Sequence, residues 1–143
     1  MFTIFTAKVD LKILIIMAIF SLLFAFISIT FSAYGALPTT IIKSCYDGDT
    51  CTTIDGEKIR LACINTPELK GKRAEPIPAK EARDFLNTLV MNKEVYIKRI
   101  SKDRYERTVA ELFINDLNIQ EIIVKKGYGT IYQKYASQCS WSK

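Results

Sequence analysis

The chain has 143 residues, 49% of them hydrophobic, and a formal net charge of +5. That length supports one small core. The charge is too mild to establish a polyanionic partner by itself. The chain contains no histidine, so imidazole is excluded from both acid–base and metal chemistry.

The first quarter of the chain stands apart. From Ile13 to Thr30 it is almost wholly apolar, preceded by Lys8 and Lys12 and followed by Ser32-Ala33-Tyr34-Gly35-Ala36. This is the layout of a secretory signal peptide, with Ala33-Tyr34-Gly35 as the cleavage site. An uncleaved anchor is the alternative, because a stretch of ~18 apolar residues can cross a bilayer. Residues 1–35 are therefore read as leader or anchor and residues 36–143 as the functional domain. The expected location is secreted or periplasmic, with membrane attachment through residues 13–30 only if the leader is retained. All four cysteines, Cys45, Cys51, Cys63 and Cys139, follow the leader, and an even count in an exported small domain points to two disulfides with three pairings open. Free buried thiols are the other reading. A zinc site is disfavoured by the lack of C-x-x-C spacing and of histidine.

Past a short linker at Pro38, Ile41-Ile42 leads into the turn-rich Cys45-Tyr46-Asp47-Gly48-Asp49-Thr50. A hairpin follows, Cys51–Ile54 and Glu57–Ile64 around Asp55-Gly56, a pair suited to a two-residue type I′ turn. Its alternation turns Arg60 away from the Ile59/Leu61 face. Residues Leu69–Pro78 are basic and carry two prolines, which predicts a loop. Ala82, Phe85, Leu86, Leu89 and Val90 then recur at helical spacing, predicting a helix over Ala79–Met91. Val95–Ile100 and Thr108–Ile114 read as strands around a charged turn, Ser101–Arg107. Asn118 and Glu121 resemble a capping box, Ile119, Ile122 and Ile123 give the next helix an apolar face, and Gly127 is suited to end it. Strand-rich hairpins, a helix, strands and a helix make an α+β order, mainly β, without repeats.

Cleaving a phosphodiester requires water to be activated and negative charge to be neutralised on the phosphate oxygens. Without histidine, that work falls to carboxylates, a hard metal and arginines. Asp49 beside a glycine turn, the cluster Asn65, Thr66 and Glu68, and Arg60 and Arg107 on or beside strands supply such a set, and its oxygen donors suit calcium. Each signal alone is also found in ordinary turns and solvated strands.

Asp47-Gly48-Asp49-Thr50, Ile59-Arg60-Leu61, Asn65-Thr66-Pro67-Glu68 and Asp103-Arg104-Tyr105-Glu106-Arg107 resemble, in order and spacing, the motifs of the staphylococcal nuclease (thermonuclease) family. The similarity runs from about Cys45 to Tyr135. It implies a five-stranded OB-type barrel with two packed helices and a Ca2+-dependent hydrolysis of DNA and RNA, single-stranded or locally unpaired stretches preferred, leaving 5′-hydroxyl and 3′-phosphate ends. No protein partner is implied. Under the resemblance, Arg60, Glu68 and Arg107 are catalytic, Glu68 handling the attacking water and the arginines clamping the phosphate. Asp49, Asn65 and Thr66, the last through its carbonyl, hold the metal, with Asp47 shaping the turn behind them. Tyr105 and Tyr135 contact the terminal phosphate and the base. Three departures stand out. Asn65 occupies the place of a metal-binding aspartate, Gln133 that of a second base-contacting tyrosine, and the family's last C-terminal helix is expected to be missing after Ser140-Trp141-Ser142-Lys143. The alternative is an OB-type single-strand-binding module without catalysis, against which Arg60, Glu68 and Arg107 together argue; a non-functional truncated product is the third reading.

Overall fold

The computed structural model describes residues 11–12, 15–17 and 37–143. Residues 11–12 and 15–17 are helical, and no helix among the described residues is long and apolar enough to cross a membrane. The leader and anchor readings otherwise lie outside the described residues.

The folded unit, Leu37–Lys143, is built on eight strands and two helices. They are β1 (Thr39–Cys45), β2 (Thr50–Thr53), β3 (Lys58–Leu61), β4 (Ile64–Asn65), α1 (Pro76–Val90), β5 (Glu94–Lys102), β6 (Thr108–Ile114), β7 (Leu117–Asn118), α2 (Ile119–Lys125) and β8 (Thr130–Ile131). Antiparallel pairings run β3-β2-β1-β5-β6. A parallel pairing of β3 with β6, Arg60 opposite Val109, closes these five strands into a barrel. Closure leaves the five strands without a free edge. The fold is thus the expected α+β, mainly β, OB-type barrel. Glu57 clamps the seam. Its carboxylate takes two hydrogen bonds from Arg99, Nε at 3.1 Å and Nη2 at 2.7 Å, and one from Thr108 Oγ1 at 2.6 Å.

Period-two alternation fills the interior. Ile42, Ile59, Leu61, Val95, Ile97, Ala110 and Leu112 point inward, and Leu86 and Val90 of α1 and Ile119 and Ile123 of α2 complete one cluster. Truncating any of its large aliphatic members to alanine costs about 2–5 kcal/mol. Gln120, which apolar spacing does not reveal, is also fully buried. Its amide bridges β6 by accepting from Leu112 N–H (3.1 Å) and donating to the Ala110 carbonyl (3.0 Å).

Three local expectations are corrected. The β2–β3 connection is a three-residue loop: Thr53 N–H donates to the Glu57 carbonyl and Gly56 N–H to the Thr53 carbonyl. Only Gly56 (φ 86°) has positive φ there, whereas a type I′ turn needs it at both central residues. The strand expected to run on to Ile64 breaks at Ala62-Cys63, where Cys63 is left-handed (φ 65°). Helix α1 starts at Pro76, inside the expected loop. Pro76 and Pro78 fall in the first turn, where a missing N–H forfeits no intrahelical bond. The second helix matches its signals: Asn118 Oδ1 accepts from Glu121 N–H (3.0 Å), and Gly127 (φ 78°) follows its end. Both expected disulfides are present, Cys45–Cys51 and Cys63–Cys139.

Candidate active site

The segment Tyr46–Asp49 joins β1 to β2 and carries two buried carboxylates, Asp47 and Asp49. Cys45 and Cys51 are directly paired across β1 and β2 and disulfide-bonded, so the turn is closed covalently at its base. Within it, Asp49 N–H donates to Asp47 Oδ1 (3.1 Å). Gly48 is required for close approach. A Cβ there would lie 2.7 Å from Ala82 Cβ on α1 and 2.9 Å from Thr66 Cβ and Cγ2. Thr66, wedged also against Gly129, donates its N–H to Asp49 Oδ2 (3.1 Å).

Arg60 turns out from the barrel interior, as alternation requires. Its Nη2 pairs with Asp49 Oδ2 at 3.0 Å and donates to the Ile64 carbonyl at 3.0 Å, while Nη1 donates to the Leu61 carbonyl at 2.8 Å. Two of its five guanidinium N–H groups are thus committed to backbone carbonyls. Burial pushes the Asp49 carboxyl up to about 7, against the pull of Arg60 and with the repulsion of Asp47. Arg107, just before β6, is oriented by Asp103, which accepts from its Nε at 2.8 Å and from its N–H at 3.0 Å. Burial raises the Asp103 carboxyl, but these bonds and the Tyr105 N–H outweigh it, and the net shift is downward. The far side of Arg107 reaches Thr50 Oγ1 (3.3 Å), whose hydroxyl donates to Asp49 Oδ1 (3.3 Å). A single relay of polar contacts therefore joins Arg107 to Asp49 and Arg60.

These groups line a cavity of about 690 Å³ that includes Asp47, Asp49, Arg60, Glu68 and Arg107. Glu68 is exposed and held by its backbone, whose carbonyl accepts from Glu75 N–H (2.9 Å). Tyr105 and Tyr135 line the same space. The Arg104 and Arg107 guanidinium carbons lie 4.7 Å and 5.5 Å from the Tyr105 ring centroid. Asn65 and Thr66 are not in the lining. Asn65 is exposed on β4, paired with Thr130, and Thr66 is buried behind Asp49. Tyr132 belongs to the site as well, although the sequence motifs do not include it. It lines the cavity and meets Tyr135 edge-on with ring centroids 5.1 Å apart, next in the chain to Gln133. Its signal was the Tyr-x-x-Tyr spacing of Tyr132 and Tyr135.

The donor set fits a hard divalent cation. Two buried carboxylates lie together here with one guanidinium paired to Asp49, and a bound cation would favour the charged form that burial and Asp47 oppose. All four cysteines are in disulfides, so soft ligands are excluded. Among the described residues no three acidic or cysteine side chains converge as a metal cluster. A cation here would add main-chain or amide oxygens and water to Asp47 and Asp49, as calcium does readily.

The sequence from residue 58 to residue 142 matches the profile of the family described as Staphylococcal nuclease homologue. The chain belongs to this family. Arg60, Glu68, Tyr105, Arg107 and Tyr135 fall inside the matched segment, and Asp47 and Asp49 lie before it. Among relatives of the nuclease homologues, the chain is 35% identical over 94 residues to an uncharacterized endonuclease of Haemophilus influenzae, covering 63% of this chain and 50% of that protein. It is 30% identical over 93 residues to an uncharacterized endonuclease of Escherichia coli O157:H7, covering 62% and 58%. With the staphylococcal-like nuclease CAN1 of Arabidopsis thaliana it shares 33% over 87 residues, covering 60% and 25%. The chain spans about half the length of the first two relatives.

Proposed function

We propose that this protein is a calcium-dependent nuclease that hydrolyses phosphodiester bonds of DNA and RNA. The carrying observation is the convergence of Arg60, Arg107, Glu68, Asp47 and Asp49 on one cavity. Family membership and the endonuclease names of its relatives support the same reading.

A phosphate entering the cavity meets two guanidiniums, one from β3 and one from the end of the Asp103–Arg107 turn. Both stay charged at any working pH and offer fixed forks to the phosphate oxygens. Charge grows on those oxygens as water adds to phosphorus, so pre-oriented donors act most strongly there. Glu68, exposed to solvent, takes the proton of the attacking water. As the new O–P bond forms, the bond to the 5′ oxygen breaks; that oxygen takes a proton from solvent water and leaves as a hydroxyl, with the phosphate kept on the 3′ side. Asp47 and Asp49, with the Thr66 carbonyl and Asn65, would hold calcium, which supplies positive charge against the phosphate when bound. Tyr132 and Tyr135 line the cavity with the Lys134 ammonium over the Tyr135 ring, and a base stacking on this aromatic wall favours single-stranded or unpaired substrate. A purely binding OB-type module has no use for Glu68 beside two phosphate-facing arginines.

The two disulfides support an oxidising compartment. With the apolar stretch 13–30, they support export, cleaved near Ala36 or tethered.

Purified residues 36–143 should hydrolyse single-stranded DNA with added calcium and stop when calcium is chelated, the products carrying 3′-phosphates. A folded, oxidised protein that binds oligonucleotide but never cleaves it would refute the enzymatic reading.

A further inference from the structure

The run from Tyr132 to Cys139 leaves the barrel and returns to it at one residue. Tyr132 N–H donates to the Cys63 carbonyl (2.8 Å). Cys139 is bonded to Cys63 through the disulfide, and the Cys63 sulfur lies 3.3 Å from the Tyr135 carbonyl oxygen between them. The intervening Gln133–Gln138 is a 3-10 turn that buries no side chain. Such a turn is longer than 3-10 geometry usually sustains unaided, and without buried apolar contacts its local stability is low. Its anchor is Cys139, fully buried with Cys63 and Ala62 against Trp141. Ser142 Oγ completes the attachment by donating to the Ala136 carbonyl (2.7 Å). The segment nevertheless supplies Tyr132, Lys134, Tyr135 and Gln138 to the cavity.

We propose that the Cys63–Cys139 disulfide is a positioning cross-link that holds the Tyr132–Gln138 wall in place for the nucleoside flanking the scissile phosphate. The inference rests on the phosphodiesterase reading for its substrate. Cys63 follows the strand that carries Arg60, so one residue registers the base-facing wall to the phosphate-facing arginine. Releasing the cross-link frees the tyrosines while the barrel keeps Arg60, Glu68 and Arg107. Substrate capture should suffer and the chemical step should not.

Two variants test this. The first is Cys63→Ala with Cys139→Ala; the second keeps both cysteines and inserts two glycines between Gln138 and Cys139, lengthening the tether with the disulfide intact. In both, KM for a single-stranded oligonucleotide should rise about ten-fold or more. The kcat on a nitrophenyl phosphodiester that lacks a base should stay within about a factor of two of wild type. Amide exchange should accelerate at Tyr132, Tyr135 and Cys139 but not in β5 and β6, and emission of Trp141, the chain's one tryptophan, should change. If the alanine pair fails to fold, the glycine insertion decides alone. Unchanged KM in a folded variant, or KM and base-free kcat worsening together, overturns the proposal. A wild-type protein that cleaves nothing defeats the enzymatic reading instead, and oligonucleotide anisotropy then compares the same variants, with equal affinities overturning the wall assignment.

Discussion

Replacing Gly48 by alanine tests whether the acidic turn is held by packing. Gly48 does not have a left-handed φ, so space alone decides the outcome. The new Cβ would sit 2.7 Å from Ala82 Cβ and 2.9 Å from two carbons of Thr66, about 1 Å closer than carbon atoms pack at their optimum. Neither neighbour is a flexible tip: Ala82 is fixed to α1, and Thr66 is β-branched and stiff. Overpacking of this kind costs about 1–3 kcal/mol, which in a domain of about 100 residues lowers Tm by at least about 4 °C. The turn must retreat from Thr66, and the Thr66 N–H to Asp49 bond is lost. A displacement of about 1 Å at a reacting site typically costs on the order of 10²-fold in rate. Melting curves with and without calcium, beside a nuclease assay on single-stranded DNA, read both effects. Adding Ala82→Gly removes the closest clash, so Gly48→Ala should be better tolerated in that background than alone. An alanine variant with wild-type Tm and wild-type rate would refute the packing argument.

Three other outcomes follow from the site. Arg107→Lys keeps the charge but loses the fork that Asp103 and Thr50 orient, and kcat should fall by ~10²–10³ with substrate affinity largely kept; steady-state kinetics that show near-normal turnover would place the phosphate elsewhere. Asn65→Asp adds a carboxylate beside the proposed calcium site and should lower the calcium concentration for half-maximal activity, as well as the Kd read by calorimetry; an unchanged requirement would remove Asn65 from the ligand set. Glu57, hydrogen-bonded by Arg99 and Thr108 and only partly opposed by burial, is held down from 4.5 to about 2. The stability it contributes is therefore full above about pH 4.5 and lost as pH falls through about 2. Paired melts of wild type and Glu57→Gln should diverge at neutral pH and converge in acid, and a gap independent of pH would contradict the clamp.

What the sequence disclosed was what repeats along it or signals locally. Alternation placed β6 at its observed bounds and aimed Arg60 out of the core, and Asn118 announced α2. Where two rules compete, local sequence does not rank them. Pro76 and Pro78 read as loop residues when they were the first turn of α1, and Asp55-Gly56 suited two turn types that only the backbone φ values separate. Partners distant in the chain were illegible. Nothing near Cys63 indicates Cys139 as its partner rather than Cys45 or Cys51, and nothing near Gln120 indicates that its amide will be buried on β6. The spacing of the motifs named Asp49, Arg60, Glu68 and Arg107, which share one cavity, yet that cavity adds Tyr132 and does not include Asn65.

The parallel seam between β3 and β6 governs the order in which function can arise during folding. The β1-β2-β3 meander and the β5-β6 hairpin are each built from neighbours in the chain and can form early, whereas both contacts between them, β1 with β5 and β3 with β6, join residues roughly fifty positions apart and close against a larger loop entropy. Arg60 rides on one piece and Arg107 on the other. Any intermediate with both pieces formed and neither contact made has Arg60 and Arg107 on separate bodies, and one joined only through β1 and β5 still holds them at opposite edges of an open sheet. On the proposed reading such a partly folded chain lacks the joined phosphate site, and cleavage is expected only once the barrel has shut.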